Sequence, residues 1–510
     1  MFYWCLLNLP LNVRYNLCNI KLLAVCKSEY LNSDNISNLF HNFIETANKL
    51  NSDGLEIIVN NKELKLFGKV IVTIGDTLAL QELGGFLVGV GKAIKFCRTC
   101  EITSLNCKLD DPRKGYVDRN LSRHLVQLEL IKNSPELIQQ YGVKNRSVLL
   151  NLKDFDICKC LLHDPMHVLI QGVCIKELTN LLKYLTFDCN IKLELINTRI
   201  ISFVYPIIDA TDRPNIIKKE HIANGSFAQS AGQMLTLMPN LPFILGDLFT
   251  DFDKNWDNFI NLHDILNLVF CYFYDEKRIY DLEEKIHEYL IQFKSLYKTA
   301  SFTPKMHYLS HFPNQLRNFG LLRNHACFRF EAKNGLITDL NYQNFINIAF
   351  SCANKHQFWM ASKEIEFKTR NSLAYQDDTC EVNKNRDVNL IHRSYLNANK
   401  FISSVKFLRL SGFKYYPGAF LIINLALEAS SSVCLIEEIL SVDGQIIFYV
   451  LLYKIESKIR KLNCLKIAPT TTYNYINCDD LEYKQINYCV IKNSNTYLPL
   501  RYFHHSFTKR

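Results

Sequence analysis

Two short pairs of soft metal ligands, Cys97-Arg-Thr-Cys100 and His163-Asp-Pro-Met-His167, constrain the fold of this chain more than any other feature. Cysteines separated by two residues can direct both sulfurs at one tetrahedral ion, and histidines four apart on a helix share a face. If both pairs serve one ion, the long stretch between them must close into a compact body. The spacing predicts a Cys2His2 zinc site of Cys97, Cys100, His163 and His167, with Cys107, Cys158 and Cys160 as neighbouring substitutes. Taken singly, each pair also reads as buried small residues or as a helical coincidence. A second histidine pair, His307 and His311, has the same spacing. It reads as a further metal- or phosphate-facing pair or, more simply, as two histidines on a helix face near the core.

The composition can supply such a body. Of 510 residues, 48% are hydrophobic and 12% aromatic, which suits about two to four domains with substantial cores. The 18 cysteines lie mostly singly in apolar segments, as at Cys26, Cys174, Cys271 and Cys434. That pattern is not a small disulfide framework, so it indicates a reducing compartment, where a close cysteine pair means metal or redox chemistry. The net charge of +9 is scattered along the chain; it permits a nucleic-acid partner without demanding one. The apolar start, Met1 to Pro10, is cut by Pro10 and Arg14 far short of a signal peptide or membrane span, so no membrane association is expected. It reads as a strand that begins abruptly, as in a truncation of a longer ancestor.

Along the chain, 2–9 and 20–26 read as strands, and Ser33 and Asp34 offer a cap to a helix burying Ile36, Leu39, Phe40, Phe43, Ile44 and Ala47. A hairpin of 55–59 and 64–67 turns at Asn60-Asn61, and 69–74 reads as a buried strand running into Asp76. Amphipathic helices then dominate at 121–141, 164–186, 256–273 and 276–297. A polar stretch, 361–400, reads as a linker, and beyond it the chain is β-rich with a type I′ turn signal at Val442-Asp-Gly-Gln445. Lys454-Ile-Glu-Ser-Lys-Ile-Arg-Lys461 reads as a solvated strand end. The fold class is α+β, mixed, with boundaries at 1–96, 97–300, 301–360, 361–400 and 401–510.

Two acids remain. Asp76 closes an apolar segment, and Glu331 follows Phe328-Arg-Phe at the start of a helix. From spacing alone both are surface or capping carboxylates. Their surroundings, however, form an ordered series: Ile74-Gly-Asp-Thr-Leu-Ala-Leu-Gln-Glu-Leu-Gly-Gly-Phe86, Lys95-Phe-Cys-Arg-Thr-Cys100, His163-Asp-Pro-Met-His-Val-Leu-Ile-Gln-Gly172, Gln229-Ser-Ala-Gly-Gln-Met-Leu-Thr-Leu-Met-Pro-Asn-Leu-Pro242, Pro304-Lys-Met-His-Tyr-Leu-Ser-His-Phe-Pro313 and Phe328-Arg-Phe-Glu-Ala-Lys333. Together these motifs resemble the transposase-derived proteins of the CACTA (En/Spm-like) group, in order over most of the chain before the linker.

The resemblance implies a partial RNase H-like core interrupted by a large helical zinc-bearing insertion and followed by a small C-terminal β domain. It implies catalytic roles for Asp76 and Glu331 as second and third metal-binding acids, structural Zn2+ on Cys97, Cys100, His163 and His167, and DNA cleavage and strand transfer with Mg2+ or Mn2+. Two departures matter. The family's first acid lies upstream of the segment resembling Met1 to Leu9, so no residue here matches it, and Gln171 stands where the family commonly has Glu. Without its first carboxylate a two-metal site loses a bridging ligand. The expectation is therefore a DDE transposase-derived, nuclear protein, inactive in strand transfer and retaining zinc-dependent DNA binding. The alternatives are a fragment of an active Mg2+-dependent transposase and a host-adopted scaffold whose C-terminal β domain binds proteins; self-association is a further partner reading.

Overall fold

Helical periodicity between Asp76 and Glu331 and strand alternation after residue 402 separate cleanly in space, and the computed structural model is a mixed α+β protein. It describes residues 1–27, 33–297, 302–338, 346–369, 379–382, 392, 402–410, 413–423, 433–481, 484–499 and 501.

At the N-terminus Phe2–Trp4 pairs antiparallel with Lys21–Ala24, and the helix Ser33–Ser52 buries Ile36, Phe40 and Ile44. This layer also meets the helix Phe328–Thr338 that carries Glu331. Arg329 donates to the Tyr15 carbonyl at 3.0 Å, and Lys333 donates to the Leu17 carbonyl at 2.9 Å while lying 3.8 Å from the Trp359 ring centre. The hairpin Leu55–Val59 with Lys62–Leu66 forms as the turn residues require, Asn60 and Asn61 both taking positive φ. Residues 69–74 do not form the expected buried strand. They form no strand and leave Ile71 exposed, but Val70 and Ile74 pack against the hydrophobic cores and Thr73 makes one parallel bridge to Leu161. The 160–162 loop satisfies their backbone: Thr73 N–H donates to the Cys160 carbonyl and Leu162 N–H to the Thr73 carbonyl.

The helical body follows its periodicity. The 121–141 segment breaks into Leu121–Asn133 and Leu137–Tyr141 because Pro135 cannot continue a helix. The 164–186 segment is helical from Met166 but kinked at Gln171, whose backbone is non-helical, with wide π-type turns at Met166–Cys174 and Tyr184–Asp188 flanking regular Ile175–Lys183. Lys254–Val269 and Glu276–Leu296 pack together and bury Phe259, Leu262, Leu266, Ile279, Leu282 and Ile286. No helix among the described residues is long and apolar enough to cross a membrane.

Inside this core lies one carboxylate, Glu177, which accepts from Asn258 at 3.2 Å, Tyr289 at 3.0 Å and Tyr297 at 3.2 Å. Burial pushes its pKa up to about 7 against these hydrogen bonds. Between its ordinary value and about 7, the unfolded chain has released this proton while the folded chain keeps it. Stability should therefore fall as pH rises through that window, by roughly 3 kcal/mol. Urea unfolding across pH 4.5 to 7.5 checks this, since Glu177→Gln should flatten that part of the slope.

The C-terminal sheet is antiparallel throughout. Its strand order is Val490–Lys492, Asn495–Pro499, Cys464–Asn477, Gln445–Ile459, Val433–Val442, Ile402–Leu410 and Thr379–Val382, with Phe413–Tyr415 and Phe420–Ile422 paired alongside. Asp443 and Gly444 take positive φ in the turn the sequence predicts. The stretch read as a linker is partly structured: Ile348–Thr369 is one helix and Thr379–Val382 belongs to the sheet, while the polar runs at 375–378 and 383–391 lie outside the described residues.

The sheet docks on the helical body. Trp256 Nε1 donates to the Lys461 carbonyl at 2.9 Å, Asn463 Nδ2 donates to Asp264 at 2.6 Å, and Arg501 pairs with Asp209, both side chains buried. Lys461 Nζ also reaches the Phe249 carbonyl, and Arg460 lies 3.4 Å from Asp257. Lys461 thus joins this contact, while Lys454, Lys458 and Arg460 remain exposed, as a solvated strand end would have them.

Candidate metal centre

The Cys-x-x-Cys segment is a knuckle between paired residues, Lys95 bridging Thr103 and Cys100 bridging Asp118. Two buried arginines shape it. Arg119 donates to the carbonyls of Cys97 at 2.7 Å, Lys95 at 3.0 Å and Tyr141 at 2.7 Å, and Arg98 donates to those of Leu161 at 3.0 Å and Leu162 at 2.7 Å. Gly142, at positive φ, is required there, since a Cβ would stand 2.1 Å from the Lys95 carbonyl oxygen.

The histidines facing these sulfurs are His307 and His311. Cys97 Sγ lies 3.3 Å from His311 Nε2, Cys100 Sγ 3.2 Å from His307 Nε2, and the two Nε2 atoms are 3.1 Å apart. All four residues are buried, and their ligand atoms lie within 4.8 Å of one another. For zinc, with Zn–S about 2.3 Å and Zn–N about 2.0–2.1 Å, tetrahedral edges are roughly 3.3–3.8 Å, so four donors converge with little adjustment. Burial keeps the His307 imidazole neutral, as a ligand must be. Burial pushes the Cys97 thiol up, but hydrogen bonding with Cys100, His163 and His307 and the charge of His311 outweigh it and hold Cys97 well below its ordinary value; burial and Cys97 push Cys100 the other way. Phe96 and Tyr116 pack edge-on against His307 at 5.5 and 5.0 Å and close the centre to water. These four residues form a candidate metal-binding site compatible with zinc.

The predicted ligands His163 and His167 do not enter this group. Pro165 stands between them, and the helix begins only there, so His163 precedes it in non-helical chain and the two imidazoles do not share a helical face. His163 forms a wall of the centre instead. It stacks on Tyr308 at 4.3 Å and on His311 at 5.2 Å, its Nε2 lies 3.0 Å from Thr99 Oγ1, and Gln315 holds its backbone at both N–H and C=O. Of the expected substitutes, Cys107 packs in the same core, and Cys158 and Cys160 pack in or against a different one. Neither pair lies on a single helix: Pro165 keeps His163 out of the helix that follows, and His311 precedes the helix Phe312–Phe319 while His307 lies on the helix Pro304–Leu309. Gly172 lets that helix come close, since a Cβ there would meet Lys305 Cδ at 2.4 Å.

His167 faces outward to the acids. Its Nδ1 is hydrogen-bonded to Asp164 Oδ2, and its Nε2 lies 3.1 Å from Glu331 Oε1. Asp76 caps the helix Thr77–Leu83, accepting the Ala79 N–H at 2.7 Å, and is close enough for its charge to act on both His167 and Glu331. Burial pushes the Glu331 carboxyl up, as do Asp164 and Asp76, against the opposing charge of His167. Asp164, His167 and Cys327 form a second group whose ligand atoms lie within 4.8 Å of one another. Asp164 and Cys327 were not singled out in the sequence; the Asp in His-Asp-Pro-Met-His was the available signal.

No protein-family model matches this chain, and no curated protein matches it. Its class rests on its own architecture: a mixed α+β protein with a buried Cys2His2 candidate metal centre beside a partly exposed His/Asp/Glu cluster.

Proposed function

We propose that this chain is a transposase-derived DNA-binding protein, in which a zinc-clamped helical insertion holds the two acidic ends of a partial RNase H-like core together. The observation that supports this reading best is the burial of Cys97 and Cys100 together with His307 and His311, distant in sequence, in one group of converging ligand atoms. The cysteines follow Asp76 and the histidines precede Glu331, so one ion bound to Cys97, Cys100, His307 and His311 would pin both acids from within. When bound, zinc supplies a structural cross-link and no step of chemistry.

Two-metal phosphoryl transfer needs several carboxylate oxygens to bridge two cations. Among the described residues, the carboxylates acting on Glu331 are Asp164 and Asp76. Asp164 already accepts N–H groups of Met166, His167 and Cys327 and the ring of His167. Two acids remain for cations, and the proposed activity is DNA binding in the nucleus without strand transfer. The net charge of +9 favours a weak, salt-sensitive contact.

Fluorescence anisotropy with a random-sequence duplex tests this. Expected is a dissociation constant of about 10⁻⁴–10⁻⁶ M at physiological salt, falling off linearly in log affinity against log salt, and lost when zinc is chelated. Absent binding at low salt, or affinity indifferent to salt, would overturn the reading.

A further inference from the structure

The hairpin of Leu55–Val59 with Lys62–Leu66 is a sheet of two strands, and among the described residues no other strand pairs with either of its edges. We propose that the Lys62–Leu66 edge is a self-association surface, to which a second copy of this chain adds the same strand, antiparallel, about a two-fold axis through Leu64. The inference goes beyond the DNA-binding reading and does not rest on it.

Register carries the argument. The two-residue turn at Asn60 and Asn61 makes Val59 and Lys62 a hydrogen-bonded pair, so the bonds within the hairpin fall on Val59/Lys62, Ile57/Leu64 and Leu55/Leu66. The backbone N–H and C=O groups of Glu63 and Lys65 therefore point away from the hairpin, toward the open edge. A two-fold partner strand can meet them in three registers. Centred on Glu63 it sets two glutamates face to face, and centred on Lys65 two lysines; like charges directly opposite destabilise a sheet. Centred on Leu64 it sets Glu63 opposite Lys65 of the copy and Lys65 opposite Glu63 of the copy. Leu64 then meets Leu64, and Leu66 lies beside the methylene stem of Lys62. The other edge has no such register, since a two-fold about Ile57 sets Glu56 opposite Ile58.

The rest of the hairpin favours an addition at this edge. Leu55, Ile57, Val59, Leu64 and Leu66 share one face by alternation, and all but the half-buried Ile57 are exposed. Two strands alone make a marginal sheet, whereas four with a common apolar face make a stable one. The pairing within the hairpin has no bulge, neither strand holds a proline, and an edge of mixed charge does not repel its own copy as a protected edge does. Lys65 Nζ lies 3.4 Å from Glu56 Oε1, but both side chains are largely exposed, so this weak contact leaves Lys65 able to meet a second carboxylate. Strands of five residues bury little area, so the dimer is weak, with a dissociation constant of about 10–100 µM.

Sedimentation velocity of the full-length, zinc-loaded chain from about 1 to 200 µM tests this, with a concentration-dependent monomer–dimer equilibrium expected. Glu63→Lys and Lys65→Glu should each weaken the dimer at least about 10-fold, because each makes the edge a single sign. The double exchange should restore it, and an equal mixture of the two single variants should form a heterodimer, since Lys at 63 of one then faces Glu at 65 of the other. Should a charge variant fail to fold, Leu64→Cys decides: residue 64 opposite itself suits a disulfide, so mild oxidation should yield a 64–64 cross-linked peptide by mass spectrometry, and Leu66→Cys should not yield its 66–66 counterpart. A chain that stays monomeric throughout overturns the proposal, as does a dimer indifferent to both single exchanges, which would lie on another surface. If the hairpin serves the duplex instead, every variant will remain monomeric while Glu63→Lys tightens and Lys65→Glu weakens duplex binding. Dimerisation by this edge without any duplex binding would sink the proposed function and leave this surface standing.

Discussion

Cys97→Ser or His311→Ala is expected to abolish zinc binding and with it the cooperative unfolding of the helical body. Structural zinc supplies about 10–16 kcal/mol of apparent binding free energy in small zinc peptides, against a total stability of about 5–15 kcal/mol for typical domains. Even a fraction of that would exceed what the surrounding core can spare. The reason lies in the centre's position: it joins the knuckle near residue 100 to the helix pair near residue 310, with both cysteines and both histidines buried. Removing one ligand leaves buried donors facing one another without the ion. Metal content by mass spectrometry and thermal unfolding by near-UV circular dichroism check this. His163→Gln is the discriminating companion. It should keep one zinc per chain while losing the stacking on Tyr308 and His311 and the ring contact with Thr99, whereas His307→Gln should lose the metal. Zinc retained by His307→Gln and lost by His163→Gln would reverse the ligand assignment.

The second large effect concerns the joint between helical body and sheet. Asp209→Ala should destabilise the protein by about 3–5 kcal/mol, since the Arg501 guanidinium would stay buried without its carboxylate. Asn240 also donates to Asp209 at 3.0 Å, so the loss spreads into the helix Ala231–Leu245. Replacing both partners with apolar residues of similar volume should cost much less, because desolvation of the ion pair offsets much of its attraction. Urea unfolding of both singles and the double replacement measures the coupling. Equal losses in all three would mean that packing, and not charge, holds this joint.

Much of the architecture is legible in short segments. The Asn60-Asn61 and Asp443-Gly444 turns form as read because positive φ is a local demand that few residues meet. The amphipathic stretches became helices because their period is intrinsic, and they break where Pro135 forbids continuation. The extended stretch 69–74 was misread as a buried strand because apolar alternation says nothing about whether a neighbour is present to pair. The linker reading failed at Thr379–Val382 for the same reason: a short polar strand is recruited by the edge of a sheet already formed.

The candidate site divides along the same line. By itself the sequence determined the cysteine half of the metal centre, the presence of two histidine pairs, and the two acids as isolated positions, because residue type and spacing are local properties. Only the tertiary structure decided which histidine pair meets the sulfurs, and that His167 instead turns to Asp164 and Glu331. Two pairs with identical spacing are equivalent until the chain folds. The choice is then made by Pro165, which keeps His163 off the helix, and by the close approach at Gly172 that seats the helix bearing His307.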